Sequence, residues 1–123
     1  IPSYKIAENE DFFAFLDISP MAKGHTLVVP KKETDYIFDL DDDTLQQMMS
    51  FAKKVGGAIE QSIPCKRIGI LVVGLEVPHA HRHLIPINKE SDMNLSNPRL
   101  KLTNDEFKDI AKAINEKYID INI

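Results

Sequence analysis

The feature that most constrains the fold is a row of three alternating histidines, His79-Ala80-His81-Arg82-His83. Successive side chains of a β-strand point to opposite faces of the sheet. On a strand, the three imidazoles therefore share one face, while Ala80 and Arg82 lie on the other. The row predicts a strand that presents three imidazoles side by side.

Three neighbouring imidazoles indicate a site and not a core. They cannot all be protonated cheaply, so at least one is expected to be neutral at pH 7. Burying them without partners would cost on the order of 1–3 kcal/mol each, and Leu or Val would fill a core better. A neutral, positioned imidazole is a nucleophile, a base or a metal ligand.

Two chemistries fit this row, and the residues alone leave both open. In the first, two or three imidazoles bind zinc together with a carboxylate or water, because alternating histidines on a strand are a common ligand spacing. In the second, His81 attacks phosphorus while His79 and His83 hydrogen-bond the phosphate oxygens. Covalent catalysis of that kind divides one difficult displacement into two easier steps, and its attacking nitrogen must be unprotonated.

The rest of the pattern predicts an α+β domain built on an antiparallel sheet of about five strands. Strands are expected at residues 4–7, 12–18, 26–29, 68–73 and 77–87. The 68–73 run is apolar almost throughout, which is typical of a strand buried on both faces. One main helix is expected to pack on the sheet, and a C-terminal helix to follow.

The helices are predicted from their caps and apolar spacing. Residues 41–63 carry an apolar stripe at helical spacing, and Asp41 is placed to cap the first amides. The C-terminal helix opens with Thr103 and Glu106 at the spacing of a capping box. Between the last strand and this helix, the polar residues 88–101 are expected to form a loop or an arm.

Composition narrows the classes of function. The chain has 123 residues, 43% of them hydrophobic and 28% charged, which predicts one globular domain over residues 1–123. A formal net charge of −4 argues against non-specific binding to nucleic acid or an anionic membrane. A single cysteine, Cys65, suits a reducing cytoplasm. The chain starts at Ile1 without Met, so we expect N-terminal residues to be missing.

The segment Val77-Pro78-His79-Ala80-His81-Arg82-His83-Leu84-Ile85 resembles the signature of the histidine triad superfamily. Upstream, Phe15-Leu16-Asp17-Ile18-Ser19-Pro20 and Gly24-His25-Thr26-Leu27-Val28-Val29-Pro30 resemble the nucleotide-side strands of its Hint branch. The resemblance covers most of residues 1–87 in order and spacing.

This resemblance implies a nucleotide hydrolase or nucleotidyl transferase that acts at the α-phosphorus of a nucleoside phosphoramidate or related nucleotidyl substrate, with a purine base expected. His81 would be the nucleophile and form a nucleotidyl-His intermediate that water resolves. His79 and His83 would orient it and bind phosphate oxygens, and His25 matches the family's fourth site histidine. The family fold implies a homodimer with joined sheets, and no catalytic metal or other cofactor.

The resemblance also assigns the substrate contacts. Asp17 falls where the family holds the ribose hydroxyls, a task that suits a short carboxylate because it accepts from both. Phe15 and Ile18 would line the base pocket. Taken alone, Asp17 is better interpreted as a turn residue before Pro20, and Phe15 and Ile18 fit plain core packing.

Three residues depart from the family pattern. Leu75 and Glu76 stand where the Hint branch carries a Gln and a hydroxyl residue, so a nucleotide-binding module with little turnover is an alternative. Glu76 would repel a phosphate, hold a proton for the leaving group, or be a solvated turn residue. Arg82 is expected to extend along the edge of the helix-covered face toward water, or to reach a dimer partner.

Overall fold

The computed structural model describes residues 4–32, 34–73 and 82–121, and it confirms the predicted α+β architecture. The strands are β1 (Lys5–Glu8), β2 (Phe12–Leu16), β3 (Thr26–Pro30), β4 (Arg67–Leu71) and β5 (Arg82–Ile87). They form one antiparallel sheet in the order β1-β2-β3-β5-β4. The helices are α1 (Asp42–Ser62) and α2 (Asn104–Ile121), with short 3-10 turns at Ile37–Asp39 and Glu90–Met93.

Both predicted helix starts are confirmed by their capping bonds. The Asp41 carboxylate accepts from the Thr44 amide at 2.6 Å. At α2, the Thr103 hydroxyl accepts from the Glu106 amide and the Glu106 carboxylate accepts from the Thr103 amide, each at 3.1 Å. These bonds satisfy amides that have no partner within the helix.

The core lies between one face of the sheet and α1, with α2 packed against α1 and β1. Its most deeply buried members come from both layers: Ile6, Phe12, Val28, Met48, Val55, Ile59, Leu84 and Ile114. None of the helices within the described ranges is long and apolar enough to cross a membrane.

Strand register separates the two faces of the sheet. Thr26 pairs with Leu84 and Leu27 with His83, and paired residues of antiparallel strands point to the same side. Because Leu84 belongs to the core beneath α1, His83 and Leu27 lie on the opposite face. We call this second side of the sheet the site face.

The prediction that the 68–73 strand is buried on both faces is wrong. β4 is the last strand of the sheet, and Ile70 on it is 46% exposed in the single chain. Val72 and Val73, just beyond β4, are 37% and 44% exposed. An apolar run indicates burial only when other elements cover both faces, and an edge strand has fewer neighbours to do so.

Arg82 lies on the face opposite His83, as predicted, but its expected extension toward water is wrong. Its side chain is 6% exposed, and its Nη1 donates to the Met49 sulfur of α1 at 3.4 Å. Burial lowers the pKa of the guanidinium. Among the described residues, its Nε has no hydrogen-bond partner.

Candidate active site

The site face brings together the side chains of Asp17, His25 and His83. This happens because the hydrogen bonding between β2 and β3 continues one residue beyond the last residue pair of the two strands. After Leu16 and Thr26, the Asp17 amide donates to the His25 carbonyl at 2.9 Å. Side chains alternate along both chains, so Asp17 and His25 lie on the same face as Leu27 and His83. His25 and His83, which are 58 positions apart in sequence, are thereby brought into contact.

The three groups are within hydrogen-bonding or ion-pairing range. His25 Nε2 lies 3.0 Å from His83 Nδ1 and 3.5 Å from Asp17 Oδ2. The His25 side chain is completely buried, whereas Asp17 keeps 16% of its side chain exposed. His25 is therefore shielded from solvent, whereas a ligand can reach the Asp17 carboxylate.

A backbone amide determines the tautomer of His25. The Met21 amide donates to His25 Nδ1 at 3.0 Å, so this nitrogen must be unprotonated. Neutral His25 then carries its proton on Nε2 and donates it to His83 Nδ1. A neutral His83 must in turn carry its proton on Nε2, which makes that nitrogen a donor.

The surroundings of His25 keep the ring neutral at physiological pH. Burial is the main cause that lowers the pKa of His25 to about 4, the nearby Asp17 carboxylate opposes it, and the charges of His83 and Arg99 add to it. The neutral ring is the form that the hydrogen bonds require, because a protonated Nδ1 could not accept from Met21.

The Asp17 carboxylate stabilises a turn and also forms part of the site. Its Oδ1 accepts from the Ser19 amide at 2.8 Å, which is the turn role that the local sequence favours. Its Oδ2 points toward His25. The two interpretations of this residue do not exclude each other, since each carboxylate oxygen has two lone pairs.

Phe15 and Ile18 are placed differently from each other. Phe15 pairs with Leu27 on the site face, is half-buried, and has its ring 5.3 Å from that of Phe13. Ile18 follows Asp17 and is 55% exposed, so the core-packing interpretation of Ile18 is wrong. His79, His81 and Glu76, which complete the predicted site, lie outside the described residues.

The Asp17–His25–His83 cluster also has the donor types of a metal site, with ligand atoms within 4.8 Å of one another. Two nitrogens bound to one tetrahedral zinc at about 2.0–2.1 Å would lie roughly 3.3 Å apart. The 3.0 Å between His25 and His83 fits a hydrogen bond better. The Met21 amide already occupies the other nitrogen of His25.

Two residues that support this site were missed by sequence reasoning. Gly24, just before His25, has φ of +89°, which glycine alone adopts freely, and a Cβ there would lie 2.9 Å from Ile63. Arg99 binds the Ser19 carbonyl across 80 positions of sequence. A glycine before a site histidine was a detectable signal, whereas no local pattern could pair Arg99 with Ser19.

The comparisons with known proteins agree with this fold and motif. A family model of the HIT domain matches residues 1–90, and the chain belongs to this family. An uncharacterized HIT-like protein of Borreliella burgdorferi is 32% identical over 123 residues, which cover 94% of this chain and 88% of that protein. The adenosine 5'-monophosphoramidase of Schizosaccharomyces pombe is 32% identical over 119 residues, with 95% and 90% covered.

Among solved structures, a hypothetical histidine triad nucleotide-binding protein of Sulfolobus tokodaii superposes with a TM-score of 0.87. It is 27% identical, and the alignment covers 99% of this chain and 87% of that one. The α+β sheet described above is therefore the HIT fold.

Proposed function

We propose that this protein hydrolyses or transfers the nucleotidyl group of a purine nucleoside phosphoramidate or a related substrate, with His81 as nucleophile. The observation that carries the proposal is the hydrogen-bonded pair of His25 and His83 beside Asp17 on the site face. The phosphoramidase name of the fission yeast relative supports the same reaction class.

The proposed reaction has two displacements at the α-phosphorus. His81 attacks phosphorus, a P–N bond to the histidine forms, and the bond to the leaving amine breaks as the amine takes up a proton. Water then attacks the same phosphorus, the P–N bond to His81 breaks, and the nucleoside monophosphate leaves. His79 and His83 would hold the phosphate oxygens and stabilise the charge that develops on them.

Substrate contacts are proposed on the same face. Asp17 would accept from the ribose hydroxyls with lone pairs that Ser19 does not use. Phe15 and Ile18 would contact the base, since both combine apolar surface with some exposure beside Asp17. Glu76 would act at the leaving group, where a protonated carboxyl could supply the proton that the amine needs.

The test is product release from adenylyl and guanylyl phosphoramidates and dinucleoside polyphosphates, with a chelator present. Wild type and His81→Ala are compared with Lys101→Ala, which removes an exposed side chain of the 88–101 segment. We expect nucleoside monophosphate from wild type and Lys101→Ala only. Intact-mass spectrometry of a reaction quenched in alkaline denaturant, which preserves the acid-labile P–N bond, should show the wild-type chain heavier by one nucleotidyl group.

The same experiment separates the alternatives. Nucleotide binding without product in wild type would replace the hydrolase with a nucleotide-binding module. Bound metal in the purified protein, with activity lost in chelator, would replace it with a zinc site. The best substrate of the panel would identify the leaving group.

We also propose that the protein is a homodimer in which a second copy pairs along β4. Three apolar side chains at this edge of the sheet are 37–46% exposed: Ile70, Val72 and Val73. Beside them, a groove of about 560 Å³ between α1 and β4 is lined by Ala52, Gly56 and Ile68, among others. Strand pairing by a second copy would cover this edge and join the two sheets.

A further inference from the structure

The irregular segment between β5 and α2, residues 88–101, contacts the loop between β2 and β3 through two consecutive residues. We call residues 17–25 of that loop the site loop. Nη1 of Arg99 donates to the Ser19 carbonyl at 2.8 Å, and Nη2 donates to the Leu95 carbonyl of its own segment at 3.1 Å. The Leu100 amide donates to the Pro20 carbonyl, also at 2.8 Å. We call residues 88–101 the arm.

Backbone amides of the same loop donate hydrogen bonds to the side chains of the site. The Ser19 amide donates to Asp17 Oδ1, and the Met21 amide donates to His25 Nδ1. Residues 19–21 thus separate the arm from the site. The arm binds the carbonyls of Ser19 and Pro20, and the amides of Ser19 and Met21 bind the two site side chains. Moving the loop would disturb Asp17 and His25 together.

We propose that Arg99 is a positioning residue of the active site: through the Ser19 carbonyl it holds the loop whose amides orient Asp17 and select the tautomer of His25. A guanidinium suits this task because its planar fork donates to two acceptors and its charge strengthens both bonds. Its effect on turnover rests on the proposed hydrolase function, whereas its effect on the tautomer does not.

Charge provides a second link between Arg99 and the site. Among the described residues, the charged or titratable groups that act on His25 are Asp17, His83 and Arg99. The positive charge of Arg99 lowers the pKa of His25, in addition to the larger effect of burial. The charge of Arg99 therefore favours the neutral ring directly. Arg99 also holds the loop whose Met21 amide requires an unprotonated Nδ1 on that ring.

Arg99 is exposed, so its removal leaves the core intact. The variants are Arg99→Ala, Arg99→Lys, which keeps the charge but loses the fork, and Lys101→Ala as the matched loss of a neighbouring positive charge. Nitrogen-15 NMR of the imidazoles in the free protein measures the tautomer and pKa of His25. Steady-state kinetics over a pH range measures kcat and KM.

In Arg99→Ala, we expect His25 to populate both neutral tautomers and its pKa to rise. We expect kcat to fall about three- to tenfold, the equivalent of one hydrogen bond, with the acid limb of its pH profile moved to higher pH. Arg99→Lys should keep the pKa close to wild type while its kcat remains reduced, and Lys101→Ala should match wild type.

An unchanged His25 tautomer and a kcat within about twofold of wild type in folded Arg99→Ala would overturn the proposal. If Arg99→Ala folds poorly, Arg99→Lys provides the same comparison, and a wild-type tautomer and kcat there overturn it equally. If wild type turns over no substrate, the hydrolase proposal fails, but the NMR measurement still decides the role of Arg99.

Discussion

His25 is a fully buried imidazole, and its environment makes the stability of the fold depend on pH. Its pKa is about 4 in the folded protein, against 6.5 for an unperturbed histidine. Between these values the unfolded chain binds a proton that the folded protein does not, so the free energy of unfolding falls as pH drops from about 6.5 to 4.

We expect His25 to contribute about 3 kcal/mol to this loss of stability, which is complete below pH 4. Urea unfolding of wild type and His25→Gln at several pH values checks the prediction. The variant lacks the titrating ring, so its stability should vary less over this interval. Parallel pH profiles for the two proteins would contradict a depressed pKa at His25.

Gly24 is the second residue on which the site depends. An alanine there would adopt an unfavourable positive φ, and its Cβ would lie 2.9 Å from Ile63 Cγ1. We expect Gly24→Ala to lower the free energy of unfolding by about 1–3 kcal/mol and to reduce activity, because His25 is the next residue. Thermal unfolding and turnover are measured together, and wild-type values in both would show that the backbone accommodates a side chain.

At the scale of elements, the start of α2 is stabilised by the capping box of Thr103 and Glu106. Removing the Thr103 hydroxyl leaves the Glu106 amide without its 3.1 Å acceptor at the start of the helix. We expect Thr103→Ala to cost about 1 kcal/mol of stability, measured by urea unfolding. Lys108→Ala, an exposed change later in the same helix, is the control, and equal stabilities of the two variants would argue against the cap.

Elements differ in how far the sequence predicts them. The starts of α1 and α2 depend on side chains within three residues of the amides they cap, so local sequence identifies them. The predicted 12–18 strand instead ends at Leu16, and just beyond it the Asp17 carboxylate accepts from the Ser19 amide in a turn. Met49 belongs to the apolar stripe predicted over residues 41–63, yet its side chain is 43% exposed in the single chain.

At the scale of the whole molecule, the exposed edge at β4 tests the proposed homodimer. We expect wild type to sediment with about twice the mass of one 13.9 kDa chain. Ile70→Asp should be a monomer, because a charge at this edge would be buried against the partner. Ile119→Asp, at a 51%-exposed position on α2, should remain a dimer. A monomeric wild type, or a dimeric Ile70→Asp, would contradict pairing along β4.

The sequence by itself determined the family to which this protein belongs and much of its fold. Alternation at residues 79–83 and the Asp17 and His25 segments predicted the HIT family, since a motif depends on residue type and spacing, which are local. The tertiary structure alone decided the exposure of β4, the burial of Arg82 and the contact of Arg99 with Ser19. These depend on which elements become neighbours, and a contact across 80 positions leaves no trace in local spacing because packing of the whole chain creates it.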